Sequence, residues 1–167
     1  MPGFGNAALS SVERGWPVFV RPSGGTTVAH RPGIFNVSLF ETWRGEDCDV
    51  THRFRGFCDH LVQALRSIGV PAGLGRVAGS HCDGCFNVTA GGKKLAGTAS
   101  LVRHRGGQAG LLLHASICME GSVAADVEAI GRFEGSLGLA SSYDVDAHVT
   151  LEQAMSNETR QSVGAAG

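Results

Sequence analysis

The reactive side chains of this 167-residue chain concentrate between Gly79 and Gly84. Glycines at both ends let the backbone turn sharply and come close to a ligand. The residues between them are Ser80, His81, Cys82 and Asp83. A cysteine is a useful nucleophile only as the thiolate, so Cys82 needs nearby positive charge to lower the pKa of its thiol. The candidates for that charge are Arg76, His81 and Lys94.

Cys82 and Cys85 form a single Cys-x-x-Cys pair, which leaves several uses open. A structural zinc site needs a second pair of ligands, and His81 beside Cys82 gives poor tetrahedral geometry. A redox pair of this spacing usually opens a helix, whereas a strand pattern follows here. The remaining alternatives are a nucleophilic thiol and two inert small side chains.

A predicted β-hairpin follows this loop and carries two lysines. Residues 86–90 alternate between apolar and polar, and Gly91-Gly92 is a two-residue hairpin signal. The returning strand is predicted from 93 to 102, with Gly97 inside it as a mark of close backbone approach. Lys93 and Lys94 must point to opposite faces, so one lysine faces inward, where it needs a partner.

A second loop with chemical potential runs from Arg21 to Thr26, with the sequence Arg-Pro-Ser-Gly-Gly-Thr. Glycines at a turn can direct several backbone N–H groups at one anion, and an arginine can pair with a carboxylate or phosphate. The alternative is an ordinary hairpin loop. A nucleotide-binding P-loop is excluded because no Gly-Lys-Ser/Thr follows.

Other histidines and cysteines are predicted to be structural. Cys48 and His52 are four residues apart on a helix, a spacing that invites a metal interpretation, but Cys58 and His60 do not share their face. We expect Cys58 in the core, the two helical histidines in solvent and no bound metal. Three further histidines in or near strands are expected to be structural, namely His30, His104 and His114.

The elements that must position these loops indicate an α+β fold. Short strands are predicted at 18–20, 26–30 and 34–40 as an antiparallel meander, and a long strand at 110–119. Amphipathic helices are predicted at 47–69 and 123–137, with shorter helices at 6–12 and 151–155. Strands and helices do not alternate regularly, which favours a largely antiparallel sheet packed with helices in a single domain over residues 1–167.

Composition limits the classes of partner. A net charge of -1 supplies no field to attract nucleic acid or an anionic membrane, and no run of 18 apolar residues occurs. Five cysteines without a framework spacing fit a reducing compartment. The first nine residues lack the pattern of a signal peptide. We therefore expect a cytoplasmic protein.

Three ordered motifs resemble the biotin/lipoate A/B protein ligase family, especially its lipoate ligase and octanoyl amidotransferase branch. Arg-Pro-Ser-Gly-Gly-Thr-Thr-Val-Ala-His at 21–30 is similar to the Arg-Arg-x-Ser-Gly-Gly-Gly-Ala-Val-x-His of that family. Pro-Gly-Ile-Phe-Asn-Val-Ser at 32–38 is similar to the segment after it. Gly-Ser-His-Cys-Asp-Gly at 79–84, followed by Gly-Lys-Lys-Leu-Ala-Gly-Thr-Ala at 92–99, resembles the acyl-site hairpin.

The resemblance implies an α/β sandwich of the class II synthetase and biotin-ligase kind, and it assigns roles to residues. Lys94 matches the lysine that holds the acyl carbonyl, and Cys82 matches the loop cysteine of the cysteine-dependent octanoyl amidotransferases. The implied substrate-binding residues are Arg21, Ser23, Gly24, Gly25, His30, Asn36, Gly79, Ser80, His81, Gly97 and Thr98.

The resemblance also implies an activity and its partners. Lipoate or an octanoyl donor is the substrate, and the acceptor is a lysine of a lipoyl-carrier domain or of the glycine-cleavage H protein. Val20 departs from the first arginine of the loop motif, and the opening segment of the family has no counterpart, which leaves room for a partner chain that completes the fold. The alternatives are an ATP- and Mg-dependent ligase that forms lipoyl-adenylate, and a degenerate acyl-binding module or split-enzyme subunit.

Overall fold

A computed structural model describes residues 3–44, 49–139 and 142–156. The helices are α1 (Phe4–Glu13), α2 (Val50–Ser67), α3 (Val123–Ser136) and α4 at 151–156. The strands are β1 (Ile34–Arg44), β2 (Ala72–Leu74), β3 (Val88–Ala90), β4 (Lys93–Arg105) and β5 (Gln108–Cys118), and a 3₁₀ turn covers Val145–Ala147.

The five strands form one antiparallel sheet in the order β1-β5-β4-β3-β2. This arrangement confirms the predicted mostly antiparallel sheet with helices. Gly91 and Gly92, both at positive φ, make the tight turn from β3 to β4. The pairing of β3 with β4 shifts register between Val88 and Thr89, next to the start of β4, where Lys94 lies.

The helix α2 packs on one face of the sheet and contributes Phe57, Cys58, Val62 and Leu65 to the core. Asp49 caps it by accepting a hydrogen bond from the His52 amide at 2.9 Å. Phe57 and Cys58 pack against the buried row of β5, formed by Leu111, Leu113 and Ala115. The predicted start at Asp47 lies outside the described residues, as does Cys48.

Two predicted strands are wrong. Residues 18–20 and 26–30 are irregular, and Phe19 and Val20 are 86% and 81% exposed. β-branched and aromatic composition indicates only that a segment suits a pleated surface, and a ladder also needs a neighbouring strand. No described strand pairs with either segment, so the predicted meander reduces to β1.

The capping box predicted at Thr150 and Gln153 is confirmed by two reciprocal hydrogen bonds, at 3.0 and 3.1 Å. It fixes the start of α4. The residue just before the box, Val149, donates a backbone hydrogen bond to Lys94 of β4. The short strand β2 escaped prediction because Ala-Gly-Leu carries no periodicity. None of the helices in the described ranges has the length and apolar character of a bilayer-spanning helix. The single domain over 1–167 stays a prediction.

Candidate functional site

Lys94 is the inward-facing lysine of the hairpin. The residue is 3% exposed, and its Nζ donates hydrogen bonds to the backbone oxygens of His81 and Cys82, the second at 3.1 Å. Lys93 turns outward, 4.0 Å from the Asp146 carboxylate. The alternation of β4 thus brings one buried ammonium group under the loop at 79–84, hereafter the thiol loop.

The thiol loop holds Cys82 in a left-handed backbone conformation. Cys82 has φ of 51°, and among the described residues it alone is a non-glycine at positive φ. Such a conformation strains an ordinary side chain and persists only where the surroundings impose it. Asp83 helps to hold this loop in place, because its carboxylate accepts a hydrogen bond from the Val77 amide at 2.8 Å.

The surroundings favour the thiolate form of Cys82. Burial alone would raise the pKa of this thiol, but hydrogen bonds from the Thr26 amide and hydroxyl and the charges of Lys94 and Arg21 outweigh it, so the pKa falls below its usual value. The pKa of Lys94 also falls, to about 8, chiefly because the ammonium is buried; the nearby Cys82 charge opposes that shift. A thiolate and an ammonium therefore stabilise each other here.

His81 does not supply positive charge to the thiol, which corrects one of the predicted sources. Burial, with Lys94 and His148 beside it, lowers the pKa of His81 to about 3, so the ring is neutral at physiological pH. Arg76 faces Asp83 at 4.0 Å instead. The second cation beside Lys94 is Arg21, from the other loop.

The glycine loop, residues 21–26, closes over the thiol loop at Gly25. A Cβ atom at Gly25 would lie 3.2 Å from the Cys82 Sγ and 2.8 Å from an Arg21 nitrogen, and the φ of 103° at this position favours glycine. The Arg21 guanidinium donates to the Thr26 backbone oxygen at 3.0 Å. Ser23 is buried and its hydroxyl lies 3.1 Å from His114 Nε2 on β5. Gly24 is exposed.

A cavity of about 70 Å³ runs from the two loops along the sheet. Its polar end contains Arg21, His81, Cys82 and Lys94, and its floor contains Gly97 and Thr98 of β4. Every second residue of β5 continues the floor, namely His114, Ser116 and Cys118. Val123 and Val127 of α3 add apolar wall. The cavity thus joins the polar groups of the two loops to the apolar wall of α3.

The remaining predicted residues lie around this cavity. Asn36 accepts a hydrogen bond from the Ser116 hydroxyl at 2.7 Å, and His30 Nε2 lies 3.4 Å from the same hydroxyl. Gly79, at φ of 80°, opens the thiol loop. Ser80 is 4% exposed, and its hydroxyl and His81 Nδ1 are buried without a hydrogen-bond partner among the described residues. Such atoms are places for polar atoms of a ligand.

Two residues of the site escaped the sequence interpretation in different ways. His148, singled out by no motif, stacks on the His81 ring at 4.7 Å between centroids. His114, predicted to be structural, lines the cavity. His114 and Ser116 lie on the same face of β5, and this alternation could have predicted that His114 lines the cavity. Nothing in the local spacing marks His148.

Of the other described cysteines, Cys118 lines the floor of the cavity, whereas Cys58 and Cys85 lie outside its lining. Cys85 is exposed and Cys58 is fully buried in the core, and His52 and His60 are exposed as predicted. Within the described part of the chain, no group of three or more histidine, cysteine, aspartate or glutamate side chains is arranged to hold a metal ion. Cys48, the predicted partner of His52 in the metal interpretation, lies outside that part.

Sequence comparison agrees with this geometry. The family model described as the lipoyl protein ligase A/B catalytic domain matches residues 8–153. The chain belongs to this family. An octanoyl-[GcvH]:protein N-octanoyltransferase of Kyrpidia tusciae is 41% identical over 85 residues, which are 51% of this chain and 29% of that protein. The matched part thus spans well under half of this ligase-family relative.

Structural comparison finds the same fold in solved members of the family. A lipoate-protein ligase A bound with ATP superposes with a TM-score of 0.61 at 20% identity, covering 91% of this chain and 70% of the other. A bi-partite lipoate protein ligase of Thermoplasma acidophilum, solved with its E2 lipoyl domain, gives 0.58 at 22% identity, covering 91% and 59%. These likenesses establish the fold.

Proposed function

We propose that this chain transfers an octanoyl or lipoyl group to a lysine of a lipoyl-carrier domain through a thioester on Cys82. The observation that carries the proposal is the Cys82 thiol, whose pKa is lowered beside buried Lys94 at the polar end of the cavity. The 41% identity to a protein named octanoyl-[GcvH]:protein N-octanoyltransferase supports it.

In the first step, the Cys82 thiolate attacks the acyl carbonyl carbon of an octanoyl amide or thioester donor. The new C–S bond forms, the bond from carbon to the donor's nitrogen or sulfur breaks, and a leaving amine takes a proton from water. In the second step, the neutral amine of the carrier lysine attacks the thioester. The C–S bond breaks, the thiolate returns and the amine proton goes to water.

Lys94 stabilises the oxyanion of both steps in this proposal. An ammonium group has three N–H donors, and two of them meet the backbone oxygens of His81 and Cys82. The third N–H is available for the oxygen of the acyl carbonyl. The charge of Lys94 also favours the thiolate as nucleophile and as leaving group, so one group serves both steps.

The proposed partner rests on the relatives, one of which is named octanoyl-[GcvH]:protein N-octanoyltransferase. A carrier lysine can enter between the glycine loop and the thiol loop, and the carrier is a lipoyl domain or the glycine-cleavage H protein. A partner chain that completes the sheet would pair with β1, an edge strand with Phe35 and Phe40 56% and 66% exposed. With reduced cysteines essential to this chemistry, the cytoplasm is the expected compartment.

The second candidate is an ATP-dependent lipoate ligase, favoured by one observation. Arg21, the first residue of the glycine loop, lines the cavity, where its guanidinium can pair with the phosphate of a lipoyl-adenylate. In that mechanism the adenylate activates the acyl group and Cys82 has no covalent role. The two candidates share the cavity and the acceptor lysine, and they differ in the donor and in the covalent role of Cys82.

The deciding experiment offers both donors to the same protein. A lipoyl domain is incubated with octanoylated H protein or, separately, with lipoate, ATP and Mg²⁺, and its mass is followed. A gain of one octanoyl group from the first donor supports the proposal. A gain only from lipoate, ATP and Mg²⁺ assigns the ligase activity, and no gain from either, with or without a partner chain, leaves an acyl-binding module.

A further inference from the structure

The segment before α4 holds the thiol loop from below. The Asp144 amide donates to the Gly79 backbone oxygen at 2.8 Å, at the start of the loop. The Val149 amide donates to the Lys94 backbone oxygen at 2.9 Å, so the chain runs beside β4 for a short distance. Between these two contacts lies His148, which is only 8% exposed. A polar side chain buried under the loop needs hydrogen-bond partners there.

His148 fastens the loop by a hydrogen bond to its backbone. The His81 amide donates to His148 Nε2 at 3.2 Å, and His148 Nδ1 lies 2.8 Å from the Asp144 backbone oxygen. A carbonyl can only accept, so Nδ1 carries the ring proton and Nε2 is left as the acceptor. Both ring nitrogens are satisfied only in this neutral tautomer.

The peptide units around Cys82 are thereby held from two sides. Lys94 binds the backbone oxygens of His81 and Cys82, and His148 binds the amide of His81. Stacking of the two imidazole rings, 15° from parallel, adds a second contact. A strained φ of 51° at Cys82 needs this kind of restraint. Without it, the loop can relax and carry the thiol away from Lys94 and Arg21.

We propose that His148 is a positioning residue: as the neutral Nδ1–H tautomer it holds the His81 amide and so keeps Cys82 in the conformation that places its thiolate beside Lys94. The inference rests on the proposed function for its catalytic consequence, but not for its structural claim. His148 never touches the acyl group in this account, and it acts through the loop.

Charged and titratable groups reach His148 from each element packed on it. Lys94 faces it from β4, His81 from the thiol loop, Asp144 from its own segment and Asp126 from α3. Burial and Lys94 disfavour the imidazolium, whereas the Asp144 backbone oxygen and the two carboxylates favour it; the net direction is a lowered pKa. Protonation of His148 at Nε2 would place its N–H opposite the N–H of the His81 amide, and the hydrogen bond between them would be lost.

The test uses two isosteres that separate the ring nitrogens. In His148→Gln the Oε1 atom reaches the position of Nε2 and can accept from the His81 amide, whereas the shorter His148→Asn reaches only the position of Nδ1. His148→Ala removes both, and His104→Ala, at an exposed site on β4, is the control. Thermal unfolding confirms that each variant is folded.

The first readout needs no acyl donor. Iodoacetamide alkylation of Cys82, followed by peptide mapping against pH, reports the pKa of its thiol. We expect the midpoint to rise by about one pH unit in His148→Ala and His148→Asn, since the thiol leaves its cations, and to stay near wild type in His148→Gln and His104→Ala. An unchanged midpoint in His148→Ala, or equal midpoints in the Gln and Asn variants, overturns the inference.

The second readout is the single-turnover rate of Cys82 acylation by an octanoyl thioester. We expect a loss of roughly ten- to a hundredfold in His148→Ala, with most of the rate restored in His148→Gln. Wild-type acylation by His148→Ala contradicts the inference. If wild-type protein forms no acyl-Cys82, the proposed function fails, and the alkylation midpoints still decide the role of His148.

Discussion

The two loops that meet at the cavity are built differently. The thiol loop is fastened through its backbone by Lys94, His148 and Asp144, and through the Asp83 carboxylate. In the glycine loop, the described bonds are one from Arg21 to Thr26, one between Ser23 and His114, and those from the Thr26 amide and hydroxyl to the Cys82 thiol. The first loop is organised before any substrate arrives, as a nucleophile requires, whereas the second is lightly held over the cavity mouth.

This difference assigns the chemistry to one loop and the enclosure of the substrate to the other. Damage to the thiol loop should remove the reaction, and damage to the glycine loop should weaken it. Matched substitutions in the two loops therefore test the division of labour, and their effects should fall in a definite order.

The largest effect is expected from Cys82→Ser. A serine hydroxyl keeps the shape of the side chain but is not ionised in this setting, so transfer from an octanoyl donor should fall below detection. Cys85→Ser, in the same Cys-x-x-Cys pair and exposed, should transfer at the wild-type rate. Full activity of Cys82→Ser with lipoate and ATP would move the chemistry out of the thiol loop.

Lys94→Ala should lower the rate of transfer by roughly 10²–10³, the usual effect of removing one oxyanion donor. The substitution also deprives the His81 and Cys82 backbone oxygens of their donor, so the loop loses order at the same time. Lys93→Ala, one residue earlier and exposed, should be close to neutral. Equal losses in steady-state assays of the two variants would exclude the assignment.

The glycine loop should respond more weakly, and Gly25→Ala tests it. Gly25 has φ of 103°, a backbone conformation that strains alanine, and an added Cβ would contact the Arg21 guanidinium and the Cys82 Sγ. We expect kcat/KM to fall by about tenfold, because the glycine loop shifts while the backbone hydrogen bonds of the thiol loop remain. Gly24→Ala, where a Cβ meets nothing within 4 Å, should cost less activity than Gly25→Ala. A loss as large as that of Cys82→Ser would erase the distinction between the loops.

How far the sequence predicts the two loops differs as well. The inward Lys94 follows from strand alternation after Gly91-Gly92, and the buried face of β5 follows from its period of two, because both are local consequences of a strand. His148 and the His81 amide are 67 residues apart, and only the tertiary fold brings them together. Residues 18–20 failed as a strand for the same reason, since pairing is not a local property.

A separate prediction concerns the acid stability of the thiol loop. Folding lowers the pKa of His81 from 6.5 to about 3 and lowers that of His148 as well, both chiefly by burial. A depressed histidine pKa stabilises the fold fully above pH 6.5, and this contribution is lost as pH falls toward 3. Urea unfolding should show stability declining on acidification with a slope of at most about 1.4 kcal/mol per pH unit for each histidine.

Replacing either histidine by glutamine, which does not titrate, should flatten this decline. A decline of the same slope in His81→Gln and His148→Gln would mean that other groups, rather than the histidines under the thiol loop, cause the acid sensitivity.

The central claim is that Cys82 becomes acylated, and peptide mapping by mass spectrometry tests it most directly. Wild-type protein is incubated with octanoylated H protein and no acceptor domain, digested and mapped. The account predicts one octanoyl group on Cys82, released by hydroxylamine and passed to a lipoyl domain when one is added. Transfer to the lipoyl domain without any adduct on Cys82, and at a wild-type rate in Cys82→Ser, would contradict it.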